Sequence, residues 1–263
     1  MILEDILNHK RYELVTLKRE QPLDKLKDTV KRLSPTRDFK KALAKRSSTG
    51  DSKSINVIAE VKKASPSKGI IRNDFNPVAI ATTYEENGAS AISVLTDKKY
   101  FLGDIEYLKQ VKEATAIPVL NKDFIIDPYQ IYQARIFGAD AVLLIAAILS
   151  DNNLTDYLLL CNKLGLHALV EVHTLVELKR VLSTDAQIIG INNRDLKTFE
   201  VTTDTSIQLA KYIPDEVIVV SESGIDNKEI ILKLQQVGID AFLIGEAFMK
   251  EKDFGNKLKE LLN

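Results

Sequence analysis

The sequence has little of the chemistry that binds metals or forms disulfides: one cysteine and three histidines among 263 residues, and no tryptophan. A single cysteine, Cys161, excludes an internal disulfide and suits a reducing compartment. The histidines, His9, His167 and His173, do not combine with it in the spacing of a zinc site, so we expect no bound metal. The expected location is the cytoplasm.

Long apolar segments and nucleotide-binding motifs are also missing. No uncharged run approaches the roughly 20 residues that a membrane-spanning helix needs, so we expect no membrane partner. Glu4, Asp5 and Glu13 interrupt the N-terminus, which argues against a signal or transit peptide. There is no GxxxxGKS/T sequence, and no GxGxxG follows a predicted strand. We therefore expect no nucleotide and no other cofactor.

Charge is distributed unevenly, although the formal net charge is only −1. Residues 1–53 hold 14 Lys/Arg against 8 Asp/Glu, whereas the rest of the chain holds 22 against 29. A basic segment can bind nucleic acid, but here acids are mixed in and only Tyr12 and Phe39 could stack on bases. We expect no nucleic-acid partner and interpret the segment as amphipathic helices. Its charge suggests the hypothesis that it packs over a binding site and attracts an anionic substrate.

A repeated pattern organises the chain after residue 54. A glycine, a small or branched residue, Ser/Asp-Ala and an apolar run recur in ENGASAISVLT (86–96), IFGADAVLLIA (136–146) and QVGIDAFLIG (236–245). KLGLHALVEV (163–172) is a looser copy. The glycine can adopt the left-handed conformation that ends a helix. The continuous apolar run is typical of a parallel strand covered on both faces.

Further apolar runs complete a set of eight predicted strands: INVIAEV (55–61), IPVL (117–120), QIIGIN (187–192) and VIVVSESG (217–224). Helices are predicted at 77–87, 104–115, 128–137, 153–164, 174–183, 203–212, 227–237 and 254–262. We expect Asp151 or Asn152 to cap the fourth. Eight βα units in about 210 residues favour an α/β fold with a single (β/α)8 TIM barrel over an open doubly wound sheet. The predicted domains are an N-terminal helical extension (1–50, with helices at 2–20 and 35–46) and the barrel (51–263).

Polar residues follow six of the eight predicted strands, where barrel enzymes carry their active sites. They are Glu60, Lys62 and Ser65 (first strand), Lys122 (third), Glu171 (fifth), Asn192 and Arg194 (sixth), Glu222, Ser223 and Gly224 (seventh), and Gly245 (eighth). Because the carboxyl ends of barrel strands meet at one mouth, we expect these residues to surround one cleft. Opposed carboxylates and ammonium groups in a cleft tune acids and bases. The alternative is a layer of salt bridges that closes the barrel.

Small residues after the last two strands indicate an anion-binding site. SESGI and LIGEA place backbone N–H groups beside helix N-termini, and these loops often bind phosphate in barrels. Together with Ser65 and the charged ring, they favour a phosphorylated small molecule as substrate. The residues alone leave three functions open: a proton-transfer enzyme, a Schiff-base aldolase with Lys122 as nucleophile, or a non-catalytic phosphate-binding barrel.

Seven motifs, in order along the chain, resemble those of the indole-3-glycerol-phosphate synthase family: IAEVKKASPSKG, VLNKDFIIDPYQI, LLIAAILSD, LVEVHT, IGINNRDL, VSESGI and FLIGEAFM. The resemblance covers nearly the whole chain. It implies a (β/α)8 barrel with an N-terminal helical segment, and a cofactor-free carboxy-lyase of tryptophan biosynthesis. The implied substrate is 1-(2-carboxyphenylamino)-1-deoxyribulose 5-phosphate, whose indole ring closes with loss of carbon dioxide and then water. We expect a monomer or weak homo-oligomer without a fused second barrel.

The resemblance also implies catalytic roles for three charged residues. Lys122 resembles the general acid that protonates the ribulosyl carbonyl while the aromatic carbon attacks it. Lys62 resembles the lysine that holds the anthranilate carboxylate and donates a proton in a later step. Glu171 resembles the carboxylate that assists proton removal during dehydration.

The remaining site residues resemble binding and positioning groups of the family. Glu60 and Asn192 resemble the pair that positions substrate and lysine, with Arg194 and Glu222 in the surrounding network. The residues that resemble phosphate and hydroxyl contacts are Ser65, Ser223, Gly224 and Gly245.

Two positions depart from the family pattern. Ala64 stands where some relatives have a further lysine, so a third ammonium group near the phosphate is not expected. Glu246 stands where others have a serine after the phosphate-binding glycine. The backbone N–H at this position can still donate to phosphate, but we expect no contact between the Glu246 side chain and phosphate.

Overall fold

The computed structural model describes residues 2–44, 55–196 and 198–263. Eight parallel strands form a closed barrel: β1 (Asn56–Val61), β2 (Ala91–Leu95), β3 (Val119–Lys122), β4 (Ala141–Ile145), β5 (His167–Val172), β6 (Ile188–Asn192), β7 (Ile218–Glu222) and β8 (Ala241–Ile244). Consecutive strands pair with each other, and β1 pairs with β8 to close the ring. The predicted (β/α)8 barrel is confirmed. The predicted boundary between residues 50 and 51 lies outside the described residues.

Helices precede the barrel and alternate with its strands. They are α1 (Ile2–Glu20), α2 (Leu23–Val30), α3 (Phe39–Leu43), α4 (Pro77–Glu86), α5 (Lys98–Phe101), α6 (Ile105–Ala114), α7 (Pro128–Ile136), α8 (Asp151–Lys163), α9 (Leu175–Val181), α10 (Asp204–Ala210), α11 (Lys228–Gln236), α12 (Glu246–Met249) and α13 (Phe254–Leu262). The eight predicted barrel helices are confirmed, with ends within two residues of those expected. The expected cap of α8 is wrong, because Ser150 accepts the hydrogen bond from the Asn153 backbone N–H at 3.2 Å.

The strands are buried on both faces, which is why their sequences are apolar without alternation. Along Ala91–Leu95, no residue is more than 6% exposed. Alternate side chains fill the barrel interior, among them Ile58, Leu120 and Leu169, while their neighbours pack against the surrounding helices. Inward-facing residues at the carboxyl ends of the strands therefore project into one mouth.

The aspartate of the repeated pattern satisfies backbone donors of the preceding strand. After Gly138 ends its helix with a φ of 92°, Asp140 accepts a hydrogen bond from the Val119 N–H at 2.8 Å. Asp240 accepts the equivalent bond from the Val219 N–H at 2.9 Å. A buried N–H without a partner is costly, so this carboxylate helps to fix the register of neighbouring strands.

The N-terminal extension runs from the barrel mouth to the opposite end of the barrel. Leu14 of α1 and Leu26 of α2 pack with Tyr129 of α7. Phe39 and Leu43 of α3 are fully buried against residues of the barrel interior. The predicted helix at 35–46 is wrong for residues 35–38, which are not helical, and residues 45–46 lie outside the described residues.

Lys10 connects α1 to the barrel mouth. Its ammonium group lies 3.1 Å from an Asp97 carboxylate oxygen and 2.9 Å from one of Asp123, the residue that follows Lys122. Lys10 is 6% exposed and Asp97 is fully buried. Burial alone would lower the pKa of Lys10, but the carboxylates of Asp123, Asp97 and Glu13 outweigh it and raise the pKa.

Replacing Lys10 by methionine is expected to lower the free energy of unfolding by about 3 kcal/mol, because it leaves buried carboxylates without their cation. Urea unfolding followed by circular dichroism measures the change. Lys18→Met is the matched control, since Lys18 lies on the same helix but is 43% exposed in its pair with Asp127. The control should cost under about 1 kcal/mol. Equal losses in the two variants would contradict a role for Lys10 in fixing α1.

Candidate active site

A cavity opens at the carboxyl ends of the strands, and its walls carry the predicted polar residues. Nine of the eleven predicted site residues line this cavity: Glu60, Lys62, Ser65, Lys122, Glu171, Asn192, Arg194, Glu222 and Ser223. Gly224 and Gly245 line the cavity beside it, which shares part of the same wall. The expected convergence of strand ends on one cleft is therefore observed.

Lys122 lies at the centre of the charged groups. Its ammonium nitrogen is 3.3 Å from Glu171 Oε2 and 3.4 Å from Glu222 Oε2, and its side chain is 15% exposed. Burial disfavours the ammonium form, but Glu171, Glu222 and Glu60 together raise the pKa of Lys122. Lys122 is thus a protonated donor at neutral pH.

Glu60 and Lys62 form a second ion pair beside Lys122. The two residues point the same way from β1 and its end, and Lys62 Nζ lies 2.7 Å from Glu60 Oε1. Burial opposes ionisation of Glu60, but Lys62 and Lys122 lower its pKa. A Cβ on Gly245 would lie 2.6 Å from Glu60 Oε1, so only glycine leaves room for this carboxylate.

Glu171 and Glu222 share Lys122 but differ in their protonation. Burial opposes ionisation of Glu171, yet Lys122, the positive charge of His173 and a hydrogen bond from Asn192 lower its pKa. Burial raises the pKa of Glu222 to about 8, with Glu171 and Glu60 adding to the effect, and its Oε1 has no hydrogen-bond partner among the described residues. The surroundings therefore favour the ionised form of Glu171 and the protonated form of Glu222.

The amide of Asn192 is oriented by its neighbours. Its Oδ1 accepts hydrogen bonds from the Ser223 hydroxyl at 2.9 Å and from the Arg194 backbone N–H at 3.0 Å. Because Oδ1 accepts both of these hydrogen bonds, the NH2 group is at the other end of the amide, where it donates to Glu171. Ser223 has a φ of 67°, a left-handed conformation in which its hydroxyl reaches Asn192.

Groups that suit an anion lie at one side of the cavity. The Ser65 hydroxyl is buried without a hydrogen-bond partner among the described residues. Gly224 has a φ of 75°, and a Cβ there would lie 2.6 Å from Val201 Cγ1. Arg194 reaches Glu246 Oε2 at 3.4 Å, and Lys250 reaches Glu246 Oε1 at 2.5 Å. A carboxylate thus neutralises two cations at the edge of this region.

The N-terminal extension contributes apolar groups to the cavity wall. Ile2, Leu3 and Ile6 of α1 line it, together with Phe101 and Phe124. Within residues 2–44, no lysine or arginine lines it. The hypothesis that the extension covers the mouth agrees with this arrangement, and the attraction of an anionic substrate by its positive charge stays a prediction. Lys10, one of its cations, pairs with Asp97 and with Asp123, and Asp123 itself lines the cavity.

Sequence patterns missed several residues of the site. His173, at 10% side-chain exposure, lies between Glu171 and Glu177, and Leu196 and Phe199 line the cavity from the loop after β6. His173 could have been found from the sequence, because it follows Glu171 by two residues and side chains two apart along a strand point the same way. The two loop residues belong to no periodic pattern.

In the part of the chain that the structure describes, no group of three His, Cys, Asp or Glu residues is placed to hold a metal ion. No helix within those ranges has both the length and the apolar character needed to cross a membrane.

Comparison of the sequence with known proteins identifies relatives over the full length of the chain. Residues 3–261 match the family model for indole-3-glycerol phosphate synthase. An indole-3-glycerol phosphate synthase of Alkaliphilus metalliredigens is 48% identical over 261 residues, covering 99% of this chain and 98% of the relative. One of Desulforamulus reducens is 45% identical, covering all of this chain and 97% of the relative.

Comparison of structures supports the fold independently. A thiamine phosphate pyrophosphorylase from Pyrococcus furiosus aligns with a TM-score of 0.59 at 16% identity, covering 79% of this chain and 93% of that one. At this identity the likeness concerns the barrel alone. Family membership rests on the sequence matches, which cover the barrel, the strand-end motifs and the extension together. The chain belongs to the indole-3-glycerol phosphate synthase family, the carboxy-lyases of tryptophan biosynthesis.

Proposed function

We propose that the groups around Lys122 convert 1-(2-carboxyphenylamino)-1-deoxyribulose 5-phosphate to indole-3-glycerol phosphate, carbon dioxide and water. The observation that carries the assignment of roles is the Lys122 ammonium group, held between Glu171 and Glu222 in the cavity wall. The direct test is incubation of the purified protein with this substrate, followed by the rise of indole fluorescence. No increase above the uncatalysed rate would contradict the proposal.

Lys122 is the proposed general acid of ring closure. The aromatic carbon that carries the carboxylate attacks the ribulosyl carbonyl, and the carbonyl oxygen takes a proton from Lys122 to become a hydroxyl group. A weak carbon nucleophile needs such a placed donor, because the developing alkoxide is a strong base. The raised pKa of Lys122 keeps the donor charged before attack. Loss of carbon dioxide then returns the electrons of its carbon–carbon bond to the ring cation, so no external electron acceptor is required.

Glu171 is the proposed base of dehydration. The carbon next to nitrogen loses a proton to Glu171, the hydroxyl group takes a proton from Lys62 and leaves as water, and the indole double bond forms. Glu171 suits this step because its lowered pKa keeps it ionised. Lys62 is the proposed partner that holds the anthranilate carboxylate and later donates a proton, and Glu60 fixes its position at 2.7 Å.

The remaining residues are proposed to bind and orient the substrate. Asn192, Arg194 and Glu222 would contact the ribulosyl hydroxyl groups and the catalytic side chains. The phosphate would lie against Ser65, Ser223, Gly224 and Gly245: the Ser65 hydroxyl group has no partner among the described residues, and the two glycines line the adjoining cavity. The apolar wall from Ile2, Leu3 and Ile6 would cover the aromatic ring.

We also propose that the protein works in the cytoplasm as a monomer or weak homo-oligomer, without nucleic acid. The pathway of the family supports the location in the cytoplasm. The expectation of no nucleic acid rests on the basic segment 1–53, in which acids are mixed with the cations and few aromatic residues could stack on bases.

Replacing Glu246 by serine is expected to lower KM for the substrate about threefold, because its carboxylate follows Gly245 and repels the phosphate proposed to lie there, and a partly exposed charge interaction contributes under about 1 kcal/mol. Steady-state fluorescence kinetics measures KM and kcat together. Glu216→Ser is the matched control, since it removes the same charge from an exposed site before β7. A higher KM in Glu246→Ser alone would mean that Glu246 instead holds Arg194 in place for the substrate.

A further inference from the structure

We propose that His173 is a positioning residue for Glu171: it occupies one carboxylate oxygen of Glu171 and leaves the other to face Lys122 and the substrate. The proposal rests on the proposed role of Glu171 as a base. His173 follows Glu171 by two residues at the end of β5, and its ring lies between Glu171 and Glu177 rather than in the cavity wall.

The contacts divide the two oxygens of Glu171 between different partners. His173 Nε2 lies 3.2 Å from Glu171 Oε1, whereas Lys122 Nζ lies 3.3 Å from Glu171 Oε2. Glu171 is 2% exposed, so no bulk water competes for either oxygen. The contact with His173 is an ion pair without hydrogen-bond geometry, and this attraction at Oε1 favours the orientation in which Oε2 faces Lys122 and the substrate.

His173 is itself held by the first turn of α9. The backbone N–H of His173 donates to Glu177 Oε2 at 2.7 Å, and its ring Nδ1 lies 3.3 Å from the same oxygen. Thr174 caps the helix by accepting a hydrogen bond from the Glu177 N–H at 3.2 Å. The capping turn thus fixes Glu177, Glu177 fixes the imidazole, and the imidazole fixes Glu171.

The charges facing this group come from three elements. Glu171 of β5 and Glu177 of α9 face the imidazole, and Lys122 of β3 faces Glu171 from the other side. Burial would lower the pKa of His173, but the two carboxylates raise it to about 10. The imidazole is therefore a cation throughout the neutral range, and with Lys122 it keeps Glu171 ionised.

Kinetics of His173→Ala tests the proposal. We expect kcat to fall about tenfold with KM changed by less than about twofold, because the reacting carboxylate is misplaced while substrate contacts remain. His173→Gln should recover part of the loss, since its amide nitrogen can reach the position of Nε2. Glu177→Gln should cost less, about threefold, because the amide oxygen can still accept from the backbone and ring N–H groups of His173 while only the charge is lost. His167→Ala is the matched control: it removes a histidine paired with Asp38 at the opposite end of the same strand.

Two readouts separate positioning from a general loss of structure. In a Glu171→Gln background, His173→Ala should have no further effect on kcat. If the two residues acted independently, the fold-losses in kcat of the two single variants would multiply. Removing the cation should raise the pKa of Glu171, so the acidic limb of the kcat profile should move to higher pH. A loss of the same size in both backgrounds, or a full kcat in His173→Ala, would overturn the proposal. Full activity of Glu171→Gln alone would instead overturn the assigned role of Glu171.

Discussion

Replacing Lys122 by methionine is expected to lower kcat for indole formation by about 10² or more, because the carbonyl oxygen loses its proton donor. Methionine keeps much of the length and volume of the side chain but has no ammonium group. Steady-state indole fluorescence gives kcat, and release of carbon dioxide from carboxyl-labelled substrate reports ring closure separately. Both signals should slow by the same factor, since closure precedes both products.

Two companion variants make this result specific. Lys122→Arg keeps the positive charge but not a transferable proton, because a guanidinium stays protonated in proteins, so it should restore little activity. Lys18→Met removes an exposed lysine that pairs with Asp127 on the outside of α1, and it should leave kcat unchanged. A loss of less than tenfold in Lys122→Met would count heavily against its role as general acid.

The aldolase alternative is tested by the same lysine. A Schiff base requires a free amine, whereas three carboxylates raise the pKa of Lys122. We therefore expect no covalent adduct on Lys122 after borohydride treatment with substrate. An adduct there would mean that Lys122 acts as a nucleophile and not as a general acid. The remaining alternative, a phosphate-binding barrel without catalysis, would show neither an adduct nor turnover.

The barrel was predictable because its signals are local and repeated. A glycine such as Gly138 marks the end of a helix, and an apolar run follows it. The run is continuous because a parallel strand is buried on both faces. Convergence of the strand ends follows from closure of the ring, so residues as distant in sequence as Glu60, Lys122 and Glu222 could be placed at one cleft. The short α5 and α12 and the hairpin of Ala64–Ser65 with Gly69–Ile70 were not predicted, since each has too few residues for a period to appear.

The chemistry within the cleft was less predictable, because it depends on contacts between distant segments. Glu171 and Glu222 look alike as strand-end carboxylates, yet charged and hydrogen-bonding partners lower the pKa of Glu171, whereas burial raises that of Glu222. The net positive charge of residues 1–53 gave no indication that α1 lines the cavity with the apolar side chains of Ile2, Leu3 and Ile6. Assignment of individual proton transfers therefore required the family resemblance, and the roles of single residues stay predictions.

Replacing Glu171 by glutamine is expected to lower kcat by about 10², because the amide cannot accept the proton lost during dehydration. The isosteric change keeps the shape of the site while removing one charge. Unlike Lys122→Met, it should spare ring closure and decarboxylation. Labelled carbon dioxide should therefore appear well before indole fluorescence in a single turnover, and a dehydration intermediate should accumulate.

Glu222→Gln supplies the comparison for this result. Glu222 is as deeply buried and lies 3.4 Å from the same ammonium group, but burial raises its pKa to about 8 and so favours its protonated form at pH 7. Exchange of a neutral carboxyl for a neutral amide should therefore cost about tenfold or less. Above pH 8 the wild-type carboxyl ionises, so the difference between Glu222→Gln and wild type should then change with pH. If Glu171→Gln slowed carbon dioxide release as much as indole formation, Glu171 would act at ring closure, and the carboxylate that takes the dehydration proton would have to be sought elsewhere in the ring around Lys122.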